Sequence, residues 1–208
     1  IAKKEGYHKP QQLWLPVLPE SITLEKLEKY IKEMLNGQNE LIDSKIYAQK
    51  ISGTNIFRSK IEIPIGLWDD PENQQQKPLV LSFTEKGNYA VCGMPMSGRS
   101  TLIQTTVYGL IHRYTPDELN IYILDFSNKM LGVFEDESHI GGILYENDNE
   151  GVERFFHMLE HMLEERKELF SGGSYQQYLS SHTEKCPAVL IAIDNIAGFR
   201  EKTEFKYD

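Results

Sequence analysis

At 208 residues, 40% hydrophobic and 25% charged, the chain has an ordinary globular composition and can bury one sizeable core with an appendage. Thirty-one acidic residues against 22 lysines and arginines give a net charge of -9, and no basic cluster interrupts that balance, which argues against a nucleic-acid partner. No apolar run approaches the roughly 18 to 20 residues that span a bilayer, no signal peptide is visible and the first residue is not Met, so a cytoplasmic piece of a longer protein is expected.

In chain order, "HKPQQLWLPVLPESITLEKL" (8–27) spaces Pro10, Pro16 and Pro19 around Trp14 and is expected to run extended. Leu24, Leu27, Ile31, Met34 and Leu35 then hold a helical period that Asn36-Gly37 ends. Residues 38–60 give no clear pattern. A linker and helix over 1–60 would thus precede the main domain, 61–208. That domain opens with strand-like runs, "IEIPIGLW" (61–68) and "LVLSF" (79–83), separated by the polar turn "DDPENQQQKP".

"YAVC" (89–92) reads as a strand leading into "GMPMSGRST", Gly93 to Thr101. Gly93, Gly98 and Ser100 match the phosphate-loop pattern G-x-x-x-x-G-K-[ST], with Arg99 where lysine belongs. The loop formed by Gly93, Met94, Pro95, Met96, Ser97 and Gly98 would wrap its available backbone N–H groups around phosphate oxygens. The helix starting near Arg99 would aim its dipole at the anion. Ser100 would ligate Mg²⁺, and Thr101 would bond the phosphate nearest the sugar. The alternative is a glycine turn without ligand.

A helix follows, with Leu102, Ile103, Val107, Leu110 and Ile111 on one face; then the buried strand "NIYILDF" (120–126); then a helix over about 149–170 with Val152, Phe155, Phe156, Leu159, Met162 and Leu163 inward. "PAVLIAIDN" (187–195) is a further apolar strand. This alternation predicts an α/β fold, a mainly parallel sheet flanked by helices. Asp194 at a strand end would hold Mg²⁺ through a water, with Asp125 as rival. Asn195 follows where a catalytic glutamate would polarise water, and an amide cannot accept that proton. Arginine in place of lysine also changes the fit to phosphate.

"HMLEH" (157–161) matches a zinc-peptidase pattern, but His157 and His161 lie off the apolar stripe, among Glu160, Glu164 and Glu165, so a solvated face is expected. His139 reads as a loop residue with a structural role. Cys92 and Cys186 adjoin apolar runs and are expected to be buried free thiols of a reducing compartment.

Jointly, "IPIGLWDDPENQQQKPLVLSF", "GMPMSGRSTLIQTTVYGLI", "YILDFSNKMLGVFEDESHIGGIL", "ERKELFSGGSYQQYL" and "VLIAIDN" resemble the FtsK/SpoIIIE class, and more narrowly the tandem ATPase domains of the type VII secretion EssC/EccC family, from about residue 12 to 200. The resemblance implies a P-loop NTPase (RecA-like) fold continuing with further strands past Asp208, ATP and Mg²⁺ as ligands, and a cytoplasmic domain of a cell-membrane-anchored bacterial protein. Implied partners are other ATPase domains of the same chain, a membrane secretion complex and small helical secreted proteins. Arg99 and Asn195 mark a degenerate copy, expected to be the C-terminal one, that binds nucleotide but hydrolyses it weakly or not at all. An active ATPase aided by a neighbour, and an interaction module without nucleotide, remain alternatives.

Overall fold

The computed structural model describes residues 17–37, 60–181 and 186–204. Most of the proline-rich opening and residues 38–59 lie outside these. The described residues fall into two compact units, one from 17–37 and 64–81, the other from 60–63 and 82–204.

In the first unit, helix α1 (Leu24–Gly37) starts where the Thr23 hydroxyl accepts the Lys26 N–H at 3.3 Å, an N-cap that occupies one otherwise unpaired donor. Leu27 and Ile31, one turn apart, are buried. Strands β1 (Glu62–Asp70) and β2 (Gln75–Ser82) pair as a hairpin. The expected ten-residue polar turn is only Pro71–Gln74, because Asp70 closes it early. Its carboxylate accepts from the Asn73 amide at 2.9 Å and from Lys77 Nζ at 2.7 Å, and these bonds hold its pKa below the ordinary value. Lys77 also lies over the Trp68 ring, 5.4 Å from its centroid.

The second unit is built on β3 (Leu119–Asp125), β4 (Ile140–Tyr145) and β5 (Ala188–Asp194), all parallel in the order β4-β3-β5. Central β3 buries Leu119, Ile121, Ile123 and Leu124 almost completely, and truncating one of these to Ala is expected to cost about 2–5 kcal/mol. Helices α2 (Phe83–Lys86), α3 (Arg99–Arg113), α4 (Asn149–Phe170), α5 (Tyr175–Ser181) and α6 (Ile196–Glu204) complete the unit, with a 3₁₀ turn at Met130–Phe134. Phe155 of α4 and Phe199 of α6 pack with Leu124, Phe126 and Ile193 on one face of the sheet. Strand alternation directs Ile121, Ile123 and Asp125 to the other face. The α/β architecture with a parallel sheet and flanking helices is therefore as expected from the sequence.

Four local expectations are corrected. First, β4 went unanticipated because two glycines dilute its apolar run; Gly141 is needed since a Cβ there would strike the Tyr122 ring. Second, "YAVC" is not a strand. Tyr89 holds it instead, its hydroxyl accepting the Ser82 N–H at 2.8 Å while its ring packs edge-on to Phe83 at 5.3 Å. Third, Cys92 is consequently exposed, while Cys186 is buried as expected. Fourth, Leu163 is exposed although its helical position suggested otherwise, and Ile191 on β5 is exposed because no described strand flanks that edge.

Candidate nucleotide site

The loop from Gly93 to Thr101 is a defined turn that leads directly into α3. The Ser97 N–H donates to the Met94 carbonyl at 3.1 Å, with Pro95 second and Met96 third at φ 63°, the arrangement of a type II turn. Gly98 follows at φ 88° and is the N-cap of α3, with no side-chain cap bond. The first turn of α3 therefore presents N–H groups that the helix itself cannot satisfy, backed by the positive end of its dipole. Gly93 lies against Ser97 and Arg99: a Cβ at 93 would collide with Ser97 Oγ and lie 3.5 Å from Arg99 Cγ. Residues 91–99 are exposed and Ser100 is half-buried, so the donors are open to a ligand.

The helix is anchored at the C-terminal edge of the sheet. α3 packs on β5 and on the 3₁₀ turn, and Gln104 Nε2 donates to the Met130 carbonyl at 3.4 Å. That turn begins immediately past the end of β3. No ladder bond joins the phosphate loop to β5, because "YAVC" is unpaired.

At that edge Asp125 and Asp194 are register partners on adjacent strands and point to the same face. Both are buried. Asp125 is fully engaged: Oδ1 accepts the N–H groups of Ser127 and Lys129 at 3.2 and 3.3 Å, and Oδ2 accepts that of Leu131 at 3.0 Å. It is the organiser of the loop behind β3. Asp194 is different, for its Oδ2 is buried without a hydrogen-bond partner. A buried, uncompensated carboxylate oxygen is costly, and a divalent cation relieves that cost. Asp194 and the Ser100 hydroxyl are hard oxygen donors of the kind Mg²⁺ takes. Among the described residues no group of three or more His, Cys, Asp or Glu is placed to hold a metal, so such an ion would draw its remaining ligands from phosphate and water.

Asn195 follows at φ 66°, a left-handed conformation that asparagine tolerates better than most residues. Its side chain is occupied at both ends. Nδ2 donates to the Phe126 carbonyl at 2.8 Å, tying the ends of β3 and β5 together, and Oδ1 accepts the Gly198 N–H at 3.2 Å, capping α6. A Cβ on Gly198 would lie 2.6 Å from Nδ2, so the glycine makes room for this clamp. The sequence pattern did not reveal the Phe126 and Gly198 partners.

Lys129, at φ 59°, caps the 3₁₀ turn, and its ammonium lies 5.0 Å from the centre of the Tyr145 ring at the end of β4. Burial, together with the charges of Glu135 and Asp125, pushes the Tyr145 hydroxyl above its ordinary pKa.

The histidines stand apart from this edge. His139 precedes β4, at the opposite end of the sheet, where its Nε2–H donates to the Tyr114 carbonyl at 2.9 Å. The carbonyl can only accept, which assigns the proton to Nε2. His157 and His161 are largely exposed, each 3.5 Å from a glutamate of its own helix, Glu160 and Glu165. A helical charge face accounts for them.

Among the described residues no helix is long and apolar enough to cross a membrane. Residues 46–197 match the FtsK/SpoIIIE family. The chain is 30% identical over 142 residues to the ESX secretion system protein EccC of Geobacillus thermodenitrificans, covering 67% of this chain and 10% of that protein. It is 26% identical over 192 residues to the type VII secretion system protein EssC of Staphylococcus aureus, covering 90% of this chain and 12% of that one. The chain thus spans about a tenth of the length of these relatives. Among solved structures, it resembles EssC (ATPases 2 and 3) from Geobacillus thermodenitrificans with a TM-score of 0.65 and 27% identity, over 74% of this chain and 30% of the other. It also resembles Thermomonospora curvata EccC (ATPases 2 and 3) in complex with a signal sequence peptide, with a TM-score of 0.63 and 25% identity, over 73% and 29%. A glycine loop opening a helix at the carboxyl edge of a parallel sheet, and a match over well over half its length, lead to one conclusion: the chain belongs to the FtsK/SpoIIIE family.

Proposed function

We propose that the chain is the nucleotide-binding domain of a type VII secretion motor that binds MgATP and turns it over slowly or not at all. Gly93 to Gly98 and the first turn of α3 receive the phosphates, Arg99 adds charge, and Ser100 with Asp194 holds Mg²⁺. The ion, when bound, neutralises phosphate charge. The weak-hydrolysis half of the reading rests on one observation, the commitment of the Asn195 amide to Phe126 and Gly198. A side chain that is neutral and doubly bonded neither accepts a proton from water nor turns toward it. Asp125, the neighbouring carboxylate, is spent on three backbone N–H groups. A missing general base lowers rate by about 10² to 10⁴.

Within the motor, this domain recruits or regulates small helical secreted proteins alongside other ATPase domains of the same protein, in a cytoplasmic portion of a membrane-anchored complex. The likeness to an EccC structure holding a signal sequence peptide supports the recruitment role. Calorimetric titration of MgATP into the chain and into Arg99→Ala tests the binding half. Binding by the parent, weakened about tenfold or more in the variant, supports the reading. Absence of binding at millimolar nucleotide in the parent contradicts it.

A further inference from the structure

We propose that Asp125 is a positioning residue for the Mg²⁺ site: by fixing the loop 126–131 it holds the helix that carries Ser100 against the strand end that carries Asp194. This rests on the nucleotide-binding reading above. The two oxygen donors of that reading sit on different elements, α3 and β5, so the site needs something to fix one relative to the other. α3 packs on β5 and on the 3₁₀ turn. The loop between β3 and that turn is bonded to both elements. At its start, the Phe126 N–H donates to the Asp194 carbonyl at 3.2 Å, and the Phe126 carbonyl accepts from Asn195 Nδ2 at 2.8 Å. At its far end, the Met130 carbonyl accepts from Gln104 Nε2 of α3 at 3.4 Å.

Between those bonds, Ser127, Asn128, Lys129 and Met130 are exposed, so side-chain packing does not fix their backbone. Asp125 does. Its carboxylate gathers the N–H groups of Ser127, Lys129 and Leu131, every second residue, around one buried point. In a strand such groups would stand about 7 Å apart, so the chain must curl to bring them together, and Lys129 at φ 59° is part of that curl. Phe126 and Leu131, both buried, pin the two ends. Hydrogen bonds to a charged acceptor are stronger than those to a neutral one, which suits a single side chain to this task. The same bonds make the pair of carboxylates unequal: Asp125 has its charge compensated by N–H groups, and Asp194, its register partner, keeps Oδ2 open. Groups that orient a metal's ligands from behind, without binding the ion, have this character.

Titrating MgCl₂ into the whole chain at a fixed ATP concentration, and reading bound nucleotide, tests this. Asp125→Asn turns one acceptor oxygen into a donor and loosens the loop. Gln104→Ala cuts the bond to α3 alone and serves where Asp125→Asn does not fold. Tyr175→Phe, at the other end of the sheet, controls for a general loss of stability. The Mg²⁺ concentration for half-maximal ATP binding is expected to rise about tenfold or more in Asp125→Asn and about two- to fivefold in Gln104→Ala, with binding in EDTA changed less than about twofold and Tyr175→Phe matching the parent. Equal weakening in Mg²⁺ and in EDTA is a general structural effect and overturns the assignment. So does an unchanged Mg²⁺ requirement in a folded Asp125→Asn, or in Gln104→Ala where Asp125→Asn does not fold. A raised requirement in Asp125→Asn beside an unchanged one in Asp194→Asn overturns it too, by making Asp125 the ligand. A parent chain that shows no Mg²⁺-dependent ATP binding overturns the assignment together with the reading beneath it.

Discussion

Asp125 and Asp194 stand side by side in register on neighbouring strands, both buried, yet three backbone N–H groups fill the first carboxylate while Oδ2 of the second has no partner. Opposite consequences follow from the same substitution. In Asp125→Asn an amide N–H faces a backbone donor, Leu131 N–H or those of Ser127 and Lys129, and about 1–3 kcal/mol of stability is expected to be lost. Asp194→Asn replaces a buried carboxylate whose Oδ2 has no hydrogen-bond partner and is expected to leave stability unchanged or raised, while abolishing the Mg²⁺-dependent part of ATP affinity. Urea denaturation of both variants, with nucleotide titration in Mg²⁺ and in EDTA, checks the pair. Reversed roles would move the metal to Asp125.

Asn195 clamps the end of β3 to the start of α6. Asn195→Ala removes a helix cap and leaves the Phe126 carbonyl unpaired, with an expected loss of about 1–3 kcal/mol. On the proposed reading hydrolysis is slow in the parent and should not fall further in the variant. A variant as stable as the parent, or one whose turnover drops, would remove the structural role argued for this amide.

The phosphate loop contains one strained residue and one that brooks no side chain. Met96 is fully exposed at positive φ, so Met96→Gly should be neutral or stabilising by up to about 1 kcal/mol, without loss of MgATP affinity. Gly93→Ala drives a methyl group into Ser97 Oγ and should displace the loop, weakening nucleotide binding with little change in thermal midpoint. Equal affinities for the parent and Gly93→Ala would show that the loop does not cradle phosphate.

At the other end of the sheet, the Tyr175 hydroxyl donates to the Cys186 carbonyl at 2.9 Å, and burial raises its pKa from 10.0 to about 12. The folded chain therefore keeps a proton that the unfolded chain releases near pH 10. The contribution of the hydroxyl is intact below pH 10 and is lost as pH rises from 10 through 12. The stability gap between the parent and Tyr175→Phe, about 1 kcal/mol at neutral pH, should narrow over that window in urea titrations. A constant gap would contradict the assignment.

The sequence made some elements readable because periodicity and punctuation agreed. The apolar run of β3, the start of α3 beside Gly98 and the stop of α1 at Gly37 follow from local rules. Asp194 was legible as a strand-end acid, but its difference from Asp125 was not, since that depends on three amides from a loop whose path no pattern encodes. Asn195 could be seen as a replaced glutamate; its bond to a carbonyl 69 residues earlier in the chain could not. β4 was hidden by Gly141 and Gly142, and the reason for the first is the Tyr122 ring on the adjacent strand. "YAVC" failed in the opposite direction: four apolar residues suggest a strand, but a strand requires a partner, and none flanks it among the described residues.

The most direct test of the central claim is a single-turnover measurement with radiolabelled ATP and Mg²⁺ at saturating chain, following intact and cleaved nucleotide over time. Loss of the base from a typical rate near 10 s⁻¹ predicts bound ATP that persists, cleaved more slowly than about 0.1 s⁻¹. Cleavage at several per second would contradict the account and return Asn195 to an active site.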